Sequence, residues 1–171
     1  LFKRKNPKIF TIHIQDPKVS LKNFDVIIAP EHDNLNGDNV YNSKGAIHYI
    51  TEEEIEKAKP YLVKKINSTK IISLILGGPN KYYTFDDKQL IEIFNKIKSN
   101  FVSDGYKVIV IPSMRTPKSS IELAKKEMNS CGYVVSSVDK QAYLSAYALA
   151  NYVVVTCDST SMISEAATSG K

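Results

Sequence analysis

Short apolar runs alternate with helix-like segments from Lys70 to the end of the chain. The runs cover residues 71–76, 108–111, 133–135 and 152–156. Each is rich in β-branched side chains and is bounded by polar, Gly or Pro residues, which is typical of buried parallel strands. Between two of them, Leu90, Phe94 and Ile97 recur at the spacing of one helix face. The alternation predicts a parallel, doubly wound α/β sheet with right-handed crossovers.

The last apolar run leads directly into a helix. That helix is expected to begin between Asp158 and Ser161, because Asp and Ser side chains accept hydrogen bonds from the first helical turn. Glu165 shares a stripe of the helix with Ser161 and Ser169. The face expected to pack on the sheet consists of small or apolar residues at helical spacing: Ile163, Ala166, Ala167 and Gly170.

Polar residues follow several of the predicted strands, where ligands bind in open parallel sheets. Gly77 and Gly78 follow the first strand and would let a phosphate approach the backbone, although a glycine pair also serves ordinary turns. Arg115 follows the second strand with a fork suited to phosphate, although an isolated arginine is usually a surface residue. With Ser159 and Glu165, this edge combines anion-binding donors with one carboxylate, which suits a nucleoside diphosphate.

These stretches resemble the signature of the mitochondrial fission Elm family. The resemblance is carried in order by His13-Ile-Gln15-Asp16-Pro17, Ala29-Pro30-Glu31-His32-Asp33, Gly77-Gly78-Pro79, Arg115-Thr116-Pro117, and Asp158-Ser159-x-Ser161-Met162-x-Ser164-Glu165-Ala166 ahead of Gly170-Lys171. The family in turn resembles glycosyltransferases of the GT-B fold. The resemblance implies a GT-B-like architecture, with a Rossmann-like sheet domain preceded by part of a second α/β domain.

The resemblance also implies roles for individual residues. Glu165 would bind the ribose, and His13 would be a tentative catalytic base, since that base usually comes from the N-terminal half. His13 could equally be a hydrogen-bonded strand histidine, and Glu165 could instead cap a neighbouring turn. The implied donor-ligand contacts are Gly77, Gly78, Arg115, Thr116, Asp158, Ser159, Ser161, Met162 and Glu165. Asp158 departs from expectation, because its negative charge would stand beside the diphosphate.

The N-terminal part reads differently. Residues 8–14 and 24–29 predict two strands, and the Asn- and Gly-rich residues 31–50 predict a connector. The GT-B resemblance implies that residues 1–50 are the end of an acceptor-side domain with its connector. It likewise implies that residues 51–171 are the nucleotide-binding domain, truncated at its C-terminus. The chain begins with Leu1 and ends within its motif, which predicts a fragment. Because GT-B sites lie between two domains, the resemblance implies that this fragment cannot catalyse transfer alone.

Composition excludes several classes. The net charge of +5 from 171 residues is spread over the chain, and no recognisable aromatic-plus-basic module predicts nucleic-acid binding. Cys131 and Cys157 lack a metal or redox spacing, and the histidines lack zinc-ligand spacing, so no metal is expected. Without a signal peptide or a long apolar span, the sequence predicts a cytoplasmic protein, with peripheral membrane association as an option.

The sequence is compatible with two functions. The first is transfer of a sugar from a nucleotide donor, with no tightly bound cofactor, to an acceptor that could be lipid-linked. The second is a non-catalytic scaffold of the same fold acting in membrane or organelle division. The glycine fingerprints of nicotinamide dehydrogenases and of P-loop enzymes are absent, and so is the Tyr-x-x-x-Lys pair of nucleotide-sugar epimerases.

Overall fold

The structure, a computed structural model, describes residues 5–171. The chain forms two compact units, Leu1–Tyr49 and Ile50–Lys171. The sequence had placed the boundary after residue 50. Each unit contains its own parallel sheet, so the α/β class with parallel sheets is confirmed.

The first unit holds a three-stranded sheet in the order β1-β2-β3. Its strands are β1 (Ile12–Ile14), β2 (Val26–Pro30) and β3 (Val40–Ser43). Short 3-10 helices, Leu21–Asn23 and Glu31–Asp33, occupy the two crossovers. β3 was not predicted: it lies inside the Asn- and Gly-rich stretch and pairs with β2 from Ile27↔Val40 to Pro30↔Ser43.

The second unit holds a four-stranded parallel sheet in the order β6-β5-β4-β7. Its strands are β4 (Ile71–Leu76), β5 (Lys107–Pro112), β6 (Gly132–Val134) and β7 (Tyr152–Val155). All four coincide with the predicted apolar runs to within one residue at either end. In the centre, β4 pairs with β5 from Ile71↔Lys107 to Leu76↔Pro112. This register brings the carboxyl ends of the two central strands to the same edge.

Six α-helices belong to this unit. They are α1 (Glu52–Ala58), α2 (Pro60–Val63), α3 (Asp87–Asn100), α4 (Lys118–Met128), α5 (Lys140–Leu149) and α6 (Thr160–Ala167). Of these, α3, α4 and α5 connect its successive strands. Four of the helices, α1, α3, α5 and α6, begin with a capping side chain. The Asp86 carboxylate accepts from Gln89 N–H, with the reciprocal bond completing a capping box, and the Asp139 carboxylate accepts from Gln141 and Ala142 N–H. No helix among residues 5–171 has the length and apolar character needed to span a bilayer.

Two hydrophobic clusters sandwich the second sheet. Successive side chains of a strand point to opposite faces, so β4 contributes to both clusters. Ile71 and Ile75 pack with α1, α2, α5 and α6. Ile72, Leu74 and Leu76 pack with α3 and α4. The sheet is thus covered on both faces by helices, as all-parallel sheets require.

The prediction for the packed face of α6 was wrong in part. Ile163 is 45% exposed, and Ala167 is exposed as well. Met162 and Ala166 are the buried members and belong to the core cluster of the α5 face. The helix thus presents Met162 and Ala166, which are four residues apart, to the core in place of Ile163 and Ala167.

Pro60 begins α2 and separates it from α1. Ser145 of α5, which is fully buried, repairs the interruption. Its hydroxyl oxygen accepts from Leu62 N–H at 3.1 Å and lies 3.1 Å from the Lys59 carbonyl oxygen, to which it donates. The break in the helix thus leaves neither of these backbone groups without a partner.

Candidate functional site at the carboxyl edge of the second sheet

The strand order of the second sheet creates a crevice at one position. From β4 the chain adds β5 and then β6 on one side, and it later adds β7 on the other side of β4. The loops after β4 and β7 therefore diverge to opposite faces of the sheet. Such a switch point at the carboxyl ends of strands is where open α/β sheets bind ligands.

Asp158, in the loop after β7, lies at the centre of this crevice. Its side chain is only 4% exposed. Oδ1 accepts from the Thr156 hydroxyl at 2.6 Å, and Oδ2 accepts from Gly78 N–H at 3.1 Å and from Nη2 of Arg115 at 2.7 Å. A buried carboxylate is tolerated when charge-assisted hydrogen bonds replace its water, and these three donors do so.

The two glycines after β4 permit this arrangement. A Cβ on Gly77 would stand 2.0 Å from Oδ1 of Asp158, and a Cβ on Gly78 would stand 2.0 Å from the carbonyl oxygen of Arg115. Gly77 N–H donates to the Thr156 hydroxyl at 2.8 Å. The glycines are thus required for close approach between parts of the protein itself, and their N–H groups donate to protein oxygens.

Further polar side chains tie the loops together. The Thr116 hydroxyl is buried and lies 2.8 and 2.6 Å from the carbonyl oxygens of Leu76 and Gly77. The Asn80 side-chain amide donates to the Asp158 carbonyl oxygen at 2.8 Å. The loops after β4, β5 and β7 are therefore joined by direct hydrogen bonds.

Arg115 is the most accessible charge of this cluster. Its side chain is 40% exposed, although Nη2 is held by the Asp158 carboxylate and lies 3.3 Å from the Asp158 carbonyl oxygen. A guanidinium carries five N–H donors, so anchoring one nitrogen leaves donors available for an anion.

The start of α6 lies next to Asp158. Ser159 is the N-cap, and its hydroxyl accepts from Met162 N–H at 3.5 Å. Ser161 is half-buried in the first turn. The Met162 side chain packs in the core and not in the crevice.

Glu165 receives a hydrogen bond from within the protein. Tyr143 of α5 donates to Oε2 at 2.5 Å, and Tyr147 donates to the Tyr143 oxygen at 2.7 Å. Burial, the neighbouring Tyr147 and the bond to Glu165 raise the pKa of Tyr143 well above its ordinary value. Tyr143 therefore remains a neutral donor, and Glu165 links α6 to α5.

His13 belongs to the first unit. It lies in β1, half-buried, with its ring centroid 4.8 Å from that of Phe24. The structure therefore brings together the loops that carry Gly77, Gly78, Arg115, Thr116 and Asp158. Of the other predicted residues, Met162 packs in the core, Glu165 bonds to α5, and His13 lies in a different sheet. Within residues 5–171, no three His, Cys, Asp or Glu side chains gather in a way that could hold a metal ion.

An open groove of about 420 Å³ lies between Asp158 and α3. Phe85, Leu90 and Ile93 line one wall, and the end of β7 up to Asp158 lines the other. The crevice thus borders an apolar surface.

Sequence reasoning missed Asn80, Thr156 and Tyr143. Asn80 follows Gly77-Gly78-Pro79, and an Asn in such a turn commonly bonds to nearby backbone, so a signal existed. Thr156 was assigned only to the end of a strand. Tyr143 gave no signal, because its partner Glu165 lies 22 positions away in the sequence.

The chain is similar to known proteins along its whole length. The family model described as Mitochondrial fission ELM1 matches residues 1–171. The uncharacterized protein RP120 of Rickettsia prowazekii is 27% identical over 214 aligned positions, which cover 99% of this chain and 58% of the relative. The mitochondrial fission protein ELM1 of Arabidopsis thaliana is 24% identical over 190 positions, which cover 95% of this chain and 44% of the relative. The chain spans about half the length of these curated relatives.

Proposed function

The chain belongs to the mitochondrial fission ELM1 family, and from this premise we propose that its second unit binds a nucleoside diphosphate or nucleotide sugar as the donor in glycosyl transfer. The observation that carries the proposal is the switch point between β4 and β7, where polar side chains of three loops meet. The resemblance of the family to GT-B glycosyltransferases supports the same ligand class.

Arg115 and the start of α6 are the proposed diphosphate contacts. Arg115 retains exposed surface at the crevice, and a helix N-terminus favours negative charge. The N–H groups of Gly77 and Gly78 already donate to Thr156 and Asp158. The phosphates would therefore meet the guanidinium and α6 and not the glycine turn.

Glu165 is the proposed ribose contact. It lies one and a half turns into α6, is half-buried, and has Oε2 oriented by Tyr143. A carboxylate can accept hydrogen bonds from both hydroxyls of a ribose. The Tyr143 donor would hold that carboxylate in one orientation before the ligand arrives.

The remaining roles concern the longer protein. His13 stays the tentative base, since an imidazole can accept a proton from an acceptor hydroxyl near neutral pH. The acceptor could be lipid-linked, which would place a cytoplasmic enzyme peripherally at a membrane. No nucleic-acid partner and no tightly bound cofactor belong to this proposal.

A nucleotide titration with two variants tests the donor site. Glu165→Gln is expected to weaken binding of the nucleoside diphosphate with the highest affinity by roughly ten- to a hundredfold. The reason is that the substitution exchanges a charged hydrogen-bond acceptor for a neutral one. Glu122→Gln, which neutralises an exposed carboxylate of α4, is the matched control. Its affinity should change far less. Equal dissociation constants for wild type and Glu165→Gln would exclude the ribose role.

A scaffold role is the second candidate, favoured by the name of the Arabidopsis thaliana relative, a mitochondrial fission protein. In this alternative the hydrogen-bonded cluster around Asp158 stabilises the fold, and the crevice holds no nucleotide. A thermal-shift panel of nucleoside diphosphates and nucleotide sugars separates the two candidates. A raised melting temperature supports donor binding, and no shift with any compound favours the scaffold.

A further inference from the structure

We infer that Asp158 is a positioning residue, which orients the Arg115 guanidinium for a diphosphate and does not itself contact the ligand. The inference rests on the proposed function and specifies how its phosphate contact is built. The family resemblance implies that Asp158 is a ligand contact, yet its negative charge fits a diphosphate less well than any other feature of the motif.

The carboxylate of Asp158 is fully engaged within the protein. Thr156 donates to Oδ1, and Gly78 and Arg115 donate to Oδ2. With 4% of the side chain exposed, little surface remains for a ligand. The absence of a Cβ at Gly77 provides the space that the carboxylate fills, since that atom would lie 2.0 Å from Oδ1. The anion that this part of the site accommodates is therefore the Asp158 carboxylate itself.

The guanidinium of Arg115 is held at one end and open at the other. Nη2 contacts both the carboxylate and the carbonyl oxygen of Asp158, at 2.7 and 3.3 Å. Two contacts on one nitrogen restrict rotation of a planar group whose side chain is otherwise long and flexible. The 40% of the side chain that stays exposed can then present the remaining N–H donors in a fixed direction.

Whether one substitution raises or lowers the affinity for an anion distinguishes a positioning role of Asp158 from a purely electrostatic one. Asp158→Asn removes a negative charge beside the anion site, and charge alone predicts tighter binding of an anion. Loss of positioning predicts the opposite, because the neutral amide holds the guanidinium weakly. A fall in affinity therefore has a geometric cause.

The experiment is calorimetric titration of inorganic pyrophosphate into wild type, Asp158→Asn and Arg115→Lys. Both variants are expected to bind roughly tenfold more weakly than wild type. Asp38→Asn, which neutralises an exposed carboxylate of the first unit, is the charge-matched control and should bind no more weakly than wild type. Circular dichroism fixes a temperature at which every variant is fully folded.

Thr156→Val provides a second variant if Asp158→Asn fails to fold. It keeps the carboxylate but removes the hydroxyl that orients it, so a smaller loss of pyrophosphate affinity is expected. Unchanged or tighter binding by the folded Asp158 or Thr156 variant would overturn the positioning role while the proposed function stands. Failure of wild type to bind pyrophosphate or any nucleoside diphosphate would overturn both.

Discussion

At the scale of single residues, one carboxylate organises the candidate site. Asp158 bonds to the loops after β4 and β5 as well as to its own loop. Because three donors converge on a buried charge, removing any one of them leaves that charge with one hydrogen bond fewer. The cluster is therefore expected to respond to substitution as a unit, with non-additive effects on stability.

Gly77→Ala tests how tightly the carboxylate is packed. The new methyl group would stand 2.0 Å from Oδ1 of Asp158, and we expect the free energy of unfolding to fall by about 1–3 kcal/mol, as for other overpacked sites. Chemical denaturation measures the change. In an Asp158→Ala background the collision disappears, so Gly77→Ala should cost less there. Equal costs in both backgrounds would show that the carboxylate is not what the methyl group meets.

The residue types of the candidate site could be predicted more readily than their partners. Asp158, Ser159 and Glu165 stand out because they follow a β-branched strand and open a helix. Their contacts could not be foreseen, since Arg115 is 43 positions from Asp158 and Tyr143 is 22 positions from Glu165. Only the tertiary fold brings these partners together.

At the scale of secondary structure, the buried strands were the easiest elements to predict. β4 is buried at all six positions and reads as one apolar run. β3 was missed because it carries one aliphatic residue, Val40, followed by Tyr41 and polar residues. It is a strand because its backbone pairs with β2, an interaction that side-chain pattern does not report.

The start of α5 offers a prediction at this scale. Asp139 caps the helix by accepting from Gln141 and Ala142 N–H, and it also accepts from the Tyr61 hydroxyl of α2 at 2.7 Å. Asp139→Ala removes the cap and a contact between helices, so we expect a loss of about 1–3 kcal/mol of stability. Asp139→Asn can still cap and should lose less. Thermal unfolding of both variants at neutral pH is the measurement.

The ionisation of Asp139 predicts that the stability of the protein depends on pH. Partial burial opposes ionisation of Asp139, but hydrogen bonds from Tyr61, Ala142 and Gln141 outweigh it and lower the pKa. The pKa of Asp139 is therefore lower in the folded state than in the unfolded state, where it is about 3.9, so the ionised carboxylate stabilises the fold at pH values above about 3.9. This stabilisation is lost as the pH falls through the folded-state pKa. The gap in melting temperature between wild type and Asp139→Ala should therefore narrow below about pH 4. A gap that stays constant from pH 7 to pH 3 would argue against an ionised cap.

At the scale of the whole molecule, the two units differ in how completely they are enclosed. The second unit has helices and hydrophobic clusters on both faces of its sheet. The first unit leaves Ile12 and Ile14 of β1 more than half exposed. Stability is therefore concentrated in Ile50–Lys171, where most of the buried apolar surface lies.

A polypeptide of residues 50–171 is accordingly expected to fold without the first unit. It retains both clusters and the four-stranded sheet, so it should unfold in a single cooperative thermal transition. Residues 5–49 alone have one small sheet with exposed apolar side chains and should show no such transition. Circular dichroism on both polypeptides tests this. A non-cooperative melt of residues 50–171 would mean that the first unit is needed to complete the core.

The junction between α1 and α2 couples the evolution of two positions that are distant in the sequence, Pro60 and Ser145. The Ser145 hydroxyl is useful because Pro60 interrupts the helix and leaves Leu62 N–H and the Lys59 carbonyl in need of partners. If Pro60 were replaced by a helix-forming residue, the continuous helix could bond these groups itself, and a buried hydroxyl at position 145 would become a burden. Each residue thus sets the selective value of the other, and a lineage that straightens this helix would be free to exchange the serine for alanine.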